Sequence, residues 1–238
     1  MEVSKRKIFK TNSFILKIIA IVTMIVDHLT VAFEPYISNN LYLTGRLIGR
    51  IAFPIFAYQI ALGYKRTKNP WKYFVRLLIL AVVSEVPFDL LVFESYFNLE
   101  YNNVLWTLSA GLLVLILTDE LIKKLSIKSN AFKFITGLLI SFVIGYLCQY
   151  FHTDYGILGV VLIYLFYAGS TFGKAAYFLI PIVLVPLHPG HLLSLPLIWL
   201  DDGTKGRSLP KAFTYAVYPG HFVIAIILRA LLSSFIQF

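Results

Sequence analysis

Residues 14–33 read FILKIIAIVTMIVDHLTVAF, a stretch of twenty mostly apolar positions. A helix needs about 20 apolar residues to cross the hydrocarbon core of a bilayer, because lipid cannot satisfy free backbone N–H and C=O groups. Comparable stretches follow at 43–64, 72–93, 103–122, 133–151, 155–172 and 212–235. The pattern predicts an all-α fold, a polytopic transmembrane helix bundle that forms one domain over residues 1–238.

The composition of the whole chain agrees with this fold class. Of 238 residues, 58% are hydrophobic and 14% are charged, and the mean hydropathy is +0.78. Soluble domains carry about 25% charged residues, which cover their surface. A water-soluble protein is therefore excluded. A disulfide scaffold is excluded as well, because Cys148 is the only cysteine.

The positive charges lie between the apolar stretches. The formal net charge is +9, and 18 of the 21 Lys and Arg residues fall at 5–17, 65–76, 123–133, Lys174 and 205–211. This distribution is typical of cytoplasmic loops, so it predicts a cytoplasmic N-terminus and membrane lipid as the surroundings. No nucleic-acid partner is expected, since such a site gathers basic residues on one face.

The stretch 175–200 allows two interpretations. Four prolines, at 181, 186, 189 and 196, interrupt it, and proline breaks helices. Two short segments turning at 186–190 would return the chain to the cytoplasmic side and give about nine segments. A single tilted helix would give eight. We favour the broken hairpin, because it keeps the 205–211 cluster with the other basic loops.

Ionisable residues inside the apolar stretches are the main candidates for function. A charge in the bilayer core costs about 3 kcal/mol on insertion scales, and the spans contain several charged or titratable residues. The depth of each residue follows from its position in spans that cross the membrane in alternating directions. All of these residues except His221 fall in the outer half of the membrane, and Asn103 and Asp154 lie at its edge. We therefore expect a polar cavity open towards the outside. The residues concerned in the spans are Asp27, His28, Arg46, Arg50, Glu85, Asp89 and His221.

Two pairs of these residues have helical spacing. Arg46 and Arg50 are four positions apart, as are Glu85 and Asp89, so each pair shares one helix face. Ion pairing between the two faces would neutralise all four charges. The alternative is that these four form only an ion-pair network that holds helices together.

Adjacent residues on a helix point about 100° apart, so Asp27 is not expected to orient His28. We expect Asp27 to pair with an arginine. We expect a carboxylate from another span to orient His28. A histidine that only joins two helices is the alternative. No metal site is expected, since Pro189 and Gly190 separate His188 from His191.

Several longer motifs resemble the TraX family, which is related to the superfamily of membrane acyltransferases. They are LKIIAIVTMIVDHL (16–29), GRLIGRIAFPIFAYQIALGY (45–64), RLLILAVVSEVPFDL (76–90), NVLWTLSAGLL (103–113), DYGILGVVLIYL (154–165) and YPGHF (218–222). The resemblance covers residues 14 to 225. The loop 201–207 matches the family only loosely.

The namesake of that family acetylates the N-terminal amine of a conjugative pilin subunit. The resemblance implies a bacterial cytoplasmic membrane enzyme that uses acetyl-CoA as donor. The acceptor would be an unidentified protein or glycan, such as a pilin-like N-terminus or an envelope glycan. The motif residues carried over are Asp27, His28, Arg46, Arg50, Glu85, Asp89, Asn103, Asp154 and His221.

Acyl transfer needs a base and donors for a developing oxyanion. We expect His28 to be the base, with His221 as the next candidate, and an arginine to stabilise negative charge. The CoA phosphates would meet the inner basic loop that contains Lys65, Arg66 and Lys68. A transporter or flippase of a small polar or lipid-linked solute is the competing function. An assembly factor without chemistry is a third.

Overall fold

The computed structural model describes residues 10–236, and within this range it is all-helical. Ten α-helices follow one another along the chain. Short 3-10 helices lie at Glu34–Tyr36, Lys174–Leu179 and Pro189–Leu193. The α-helices are α1 Ser13–Ala32, α2 Asn39–Gly49, α3 Ala52–Arg66, α4 Pro70–Val92, α5 Val104–Lys124, α6 Asn130–Tyr150, α7 Gly156–Thr171, α8 Ile180–Leu187, α9 Ser194–Trp199 and α10 Lys211–Ile236.

The helix starts follow local capping chemistry. The side chains of Asn12, Asn69 and Asn103 accept hydrogen bonds from the first turns of α1, α4 and α5. Such caps satisfy backbone N–H groups that have no partner within the helix. Pro70 occupies the first position of α4, where its missing N–H costs nothing.

The end of the bundle at which α1 begins is called the basic end. Ser13, Arg66, Lys124 and Asp201 define it. The Arg66 Nη1 donates to Ser13 Oγ at 2.6 Å, and the backbone N–H of Ser13 donates to Thr204 O at 3.1 Å. The loops between α3 and α4 and between α5 and α6, together with the 201–207 loop, lie here. The opposite end of the bundle, where α1, α4 and α6 finish, is called the far end.

The stretch after α7 forms a hairpin that leaves the basic end and returns to it. Its arms α8 and α9 have 8 and 6 residues, about 12 and 9 Å of helix, too short to cross a bilayer alone. The chain then reaches Asp201, which pairs with Thr11 at the start of α1. The broken hairpin thus has the predicted course. The side of the membrane on which the basic end lies stays a prediction.

The apolar stretch 43–64 is two helices instead of one. The break falls between Gly49, which ends α2, and Ala52, which begins α3. Proline removes a backbone donor and its ring clashes with the carbonyl four residues earlier. Pro54 stands four residues after Arg50, so it accounts for the break at that position. The break comes after Arg50, whose backbone N–H still donates to the Arg46 carbonyl oxygen at 3.2 Å, so the two arginines lie one helical turn apart on the same face of α2.

The bundle is built for a lipid environment. Five helical segments, with α2 and α3 counted together, are long and apolar enough to cross a membrane. The central helix α7 is buried from Gly159 to Gly169. Apolar side chains on outer helices are exposed, for example Leu139, Val143 and Tyr146 on α6 at 61, 65 and 64%. A continuous apolar exterior of this kind suits lipid and not water, so the chain is a membrane protein.

Candidate functional site

A cavity of about 280 Å³ lies among α1, α2, α3, α4 and α10. Its walls include the last turns of α1 and α4, at Val31 and Val92, so it belongs to the far-end half of the bundle. Met24, Phe53 and Phe56 supply apolar wall. The polar side chains that line the cavity are Asp27, His28, Tyr42, Arg46, Arg50, Tyr101, Asp154, Tyr155 and Tyr218.

His28 and His221 form a hydrogen-bonded pair beside this cavity. The His221 Nε2 lies 2.7 Å from His28 Nδ1, and His221 Nδ1 lies 3.0 Å from the carbonyl oxygen of Val217. A carbonyl oxygen only accepts, so His221 Nδ1 carries a proton. With both rings neutral, His28 Nδ1 must then donate to His221 Nε2. The tautomer assigned in this way leaves a lone pair on His28 Nε2, which has no protein partner in the described chain.

The position of His221 corrects the sequence-based placement of this residue away from the other groups. Its ring packs on Phe222 with centroids 4.0 Å apart, and Phe222 also packs on His28 at 4.7 Å. Phe222 is fully buried, so α10 is fixed against α1 at this level. A depth counted along the 26 residues of α10 did not predict this contact. The prediction that a carboxylate orients His28 is also wrong, because His221 is the hydrogen-bond partner of His28 Nδ1.

Asp27 pairs with Arg46, as expected for an arginine partner. The Asp27 Oδ2 and Arg46 Nη1 are 2.8 Å apart. The other oxygen, Asp27 Oδ1, is buried without a hydrogen-bond partner among the described residues, and it faces Gly49. A Cβ on Gly49 would lie within 3.0 Å of three side-chain atoms of Asp27. The close approach of α1 and α2 therefore requires glycine here.

Glu85 and Asp89 do not pair with the arginines, so the predicted cross-pairing is wrong. Glu85 accepts from the backbone N–H of Asn103 at 3.0 Å, from its side-chain amide at 2.6 Å, and from Trp106 Nε1. Asp89 accepts from the backbone N–H of Asn98 at 2.9 Å. Unpaired N–H groups at the start of α5 and in the loop before it are nearer partners than the arginines. These two carboxylates and Asn103 support the site from outside the cavity wall.

Arg50 has donors without partners. Its Nη1 lies 3.5 Å from the hydroxyl of Tyr155, while its Nε is buried without a partner within residues 10–236. The Tyr155 ring stacks on Phe53 with centroids 3.6 Å apart and 5° between planes. The backbone of Tyr155 is left-handed, with φ of 68°, which costs energy for a bulky residue. Stacking and the turn hold the Tyr155 hydroxyl between Arg50 and His191 Nε2, also 3.5 Å away.

His188 and His191 have local partners. His188 Nδ1 accepts from the Gly190 N–H at 3.0 Å, and His191 Nδ1 lies 2.8 Å from the carbonyl oxygen of His188. Within the described residues, no three His, Cys, Asp or Glu side chains come close enough to hold a metal ion.

Asp154 lies in the turn between α6 and α7, at the cavity wall. Tyr101 donates its hydroxyl proton to Asp154 Oδ1, and Thr107 donates to the backbone oxygen of Asp154. Burial raises the pKa of Asp154 to about 6, although the Tyr101 hydrogen bond and the charge of Arg50 lower it. The carboxyl group therefore changes charge near neutral pH.

The tyrosines that line the cavity were not predicted as site residues from the sequence. Tyr101 and Tyr155 contact the group formed by Asp154 and Arg50, and Tyr218 packs on His221 with centroids 5.5 Å apart. Two signals existed, since Tyr155 follows Asp154 directly and Tyr218 precedes His221 by one helical turn.

The predicted donor-binding residues lie at the basic end. Lys65 Nζ bonds to Ser170, and Arg66 bonds to Ser13 and Gly203. Lys68 is exposed. Along α3, Lys65 lies about 14 Å from Phe56 at the cavity wall. The structure does not bring them together with His28, and their role in binding a donor stays a prediction.

Comparison with known proteins gives a consistent relationship. A family model described as TraX protein matches residues 13–229. The probable fimbrial assembly protein FimC, serogroup H1, of Dichelobacter nodosus is 25% identical over 241 residues, which cover 90% of this chain and 93% of that protein. No solved structure matches. Since the family model covers most of the chain, including both histidines of the pair, this protein belongs to the TraX family.

Proposed function

We propose that the chain is a membrane-embedded acyltransferase that moves an acetyl group from acetyl-CoA to an amine or hydroxyl group of an acceptor. The observation that carries this proposal is the hydrogen-bonded pair His28–His221 at the wall of a polar cavity. Family membership supports it, because the namesake of the family transfers acetyl groups.

His28 is the proposed general base. Its Nε2 holds a free lone pair, and its Nδ1 proton is directed at His221 Nε2. When His28 Nε2 takes a proton from the acceptor, the positive charge on His28 strengthens its hydrogen bond to His221. His221 passes that polarisation to the Val217 carbonyl oxygen. A neutral imidazole with a free ring nitrogen can accept a proton, so this pair suits general base catalysis.

Arg50 is the proposed group that stabilises the oxyanion. Arg46 is already neutralised by Asp27, whereas Arg50 has no carboxylate partner within 4.0 Å among the described residues. Its Nη1 has only the long contact of 3.5 Å with the Tyr155 hydroxyl, so the guanidinium group of this cavity-lining arginine keeps donors for a developing negative charge on the thioester oxygen.

The proposed reaction is a single acyl exchange. The acceptor nitrogen or oxygen bonds to the thioester carbon, and His28 Nε2 takes the proton that the acceptor loses. The carbon–sulfur bond then breaks and its electron pair leaves with the CoA sulfur, which is released as thiol after protonation. For the donor to reach from Lys65 and Lys68 to the cavity, its extended arm must run along about 14 Å of α3, as far as Phe56.

A pilin-like N-terminus is the acceptor that we favour. The FimC protein of Dichelobacter nodosus carries the name of a fimbrial assembly protein, and it aligns along nearly the full length of this chain. A membrane enzyme with a cavity near one face of the bundle can act on a subunit that is itself held in the membrane.

The test uses purified protein in detergent with acetyl-CoA labelled in the acetyl group and a peptide with a free N-terminal amine. We expect label to reach the peptide, and His28→Ala to lower the rate by about 10²–10⁴. His152→Asn is the matched control, because His152 is exposed in a turn with φ of 50° and asparagine tolerates that backbone. The control should keep the wild-type rate.

Three outcomes would contradict the proposal. The first is that folded wild-type protein transfers acetyl to no amine or hydroxyl acceptor. The second is that His28→Ala leaves the rate of transfer unchanged. The third is counterflow of a solute in liposomes without acetyl-CoA. The last would favour the transporter.

A further inference from the structure

Asp154 is the one carboxylate of the cavity wall that no cation of the described chain neutralises. Asp27 has Arg46 at 2.8 Å, but Asp154 has no Lys, Arg or His nitrogen within 4.0 Å in the range 10–236. Its Oδ1 accepts from Tyr101, and its Oδ2 has no hydrogen-bond partner in the same range. The Oδ2 atom is not fully buried. It therefore remains accessible from the cavity that Asp154 lines.

Charged and titratable groups face Asp154 from each neighbouring element. They are Asp27 from α1, Arg46 and Arg50 from α2 and its end, Tyr101 from the loop before α5, Tyr155 from the start of α7 and Tyr218 from α10. Arg50 is the closest source of positive charge among them, but its Nη1 is directed at the Tyr155 hydroxyl. Asp154, with one oxygen free, and Arg50, with only the Tyr155 hydroxyl at 3.5 Å from its Nη1, thus line one cavity without pairing with each other.

We propose that Asp154 binds the acceptor as an ammonium ion, so that the cavity selects an amine over a hydroxyl group. An ammonium group would give Oδ2 the charged donor that it lacks, and it would leave Arg50 for the acetyl oxygen. A neutral hydroxyl group would leave the charge on Asp154 uncompensated. The inference rests on the proposed function for its chemistry and names the class of acceptor that this function serves.

Before it attacks, the bound ammonium must lose one proton, and Asp154 is the proposed first acceptor of it. The carboxylate becomes a carboxylic acid and the ammonium becomes a neutral amine. His28 then takes the second proton as the bond from nitrogen to carbon forms. Burial brings the pKa of Asp154 to about 6, close enough to neutrality for the group to accept a proton and to release it again.

The test is a binding measurement that needs no acetyl transfer. Phenethylamine and 2-phenylethanol have the same apolar part, and their affinities for the purified protein are compared at pH 7.5 and pH 5. We expect the amine to bind about tenfold tighter than the alcohol at pH 7.5. This preference should vanish at pH 5 and in Asp154→Asn. Glu100→Gln, an exposed acid at the far end, should keep it.

Tyr101→Phe gives a second readout that a purely structural role would not move. The Tyr101 hydrogen bond lowers the pKa of Asp154, so its loss should shift the midpoint of amine binding to higher pH. Equal binding of amine and alcohol by wild type, or an amine preference retained by folded Asp154→Asn, would overturn the assignment. An amine preference in a protein that transfers no acetyl group would refute the proposed function and leave Asp154 as an ammonium site.

Discussion

Replacing Gly49 by alanine should separate α1 from α2 beneath the cavity. The added Cβ would lie within 3.0 Å of Asp27 Cβ, Cγ and Oδ1. Because Cβ is attached to the backbone of α1, rotation of the Asp27 side chain does not remove the clash. Overpacking of this kind costs about 1–3 kcal/mol, and we take the upper value. Alanine regains about 1 kcal/mol of helix propensity, which leaves about 2 kcal/mol of destabilisation.

For a chain of this length, about 2 kcal/mol corresponds to a fall in Tm of about 4–8 °C. The assay is thermal unfolding of the purified protein in detergent. Gly220→Ala is the matched control, because a Cβ on this glycine of α10 meets nothing within 4 Å. The control should leave Tm unchanged or raise it slightly. Equal Tm values for the two variants would refute the close contact of Asp27 with Gly49.

Further expectations concern the histidine pair, pH and a helix cap. If His221 acts through His28, the double alanine variant should transfer acetyl no more slowly than His28→Ala alone; additive losses would show separate roles. Because burial raises the pKa of Asp154 to about 6, folding favours the protonated form, and stability is lost as pH rises. Tm should therefore fall between about pH 4 and pH 6, and Asp154→Asn should not show this fall. Glu85→Ala should lower the free energy of unfolding by about 1–3 kcal/mol, because Asn103 and Trp106 lose their acceptor, whereas Glu100→Ala in the exposed loop should change it little.

The positions of the long helices followed from hydropathy. α1 at Ser13–Ala32 and α7 at Gly156–Thr171 lie within two residues of the predicted spans 14–33 and 155–172. The cluster of four prolines at 175–200 also predicted the hairpin, although a single proline, such as Pro87 in α4 or Pro219 in α10, lies inside a continuous helix. These features depend on neighbouring residues in the sequence, so the sequence alone contains the information.

The partners of the buried charges depend on tertiary packing. His28 and His221 are 193 positions apart, and no spacing rule connects them. The expected pairing of Glu85 with an arginine considered side chains only, and it neglected the backbone N–H groups at Asn103. The predicted single span over 43–64 neglected Pro54, which gave a signal for the break between α2 and α3.

The returning hairpin fixes how the two termini are arranged. Counting α2 with α3 as one, residues 10–236 make seven long passages along the bundle, and the excursion through α8 and α9 adds none. An odd number leaves Ser13 and Phe235 on opposite faces. Reporters of membrane sidedness placed next to Ser13 and next to Phe235 are therefore expected to give opposite signals.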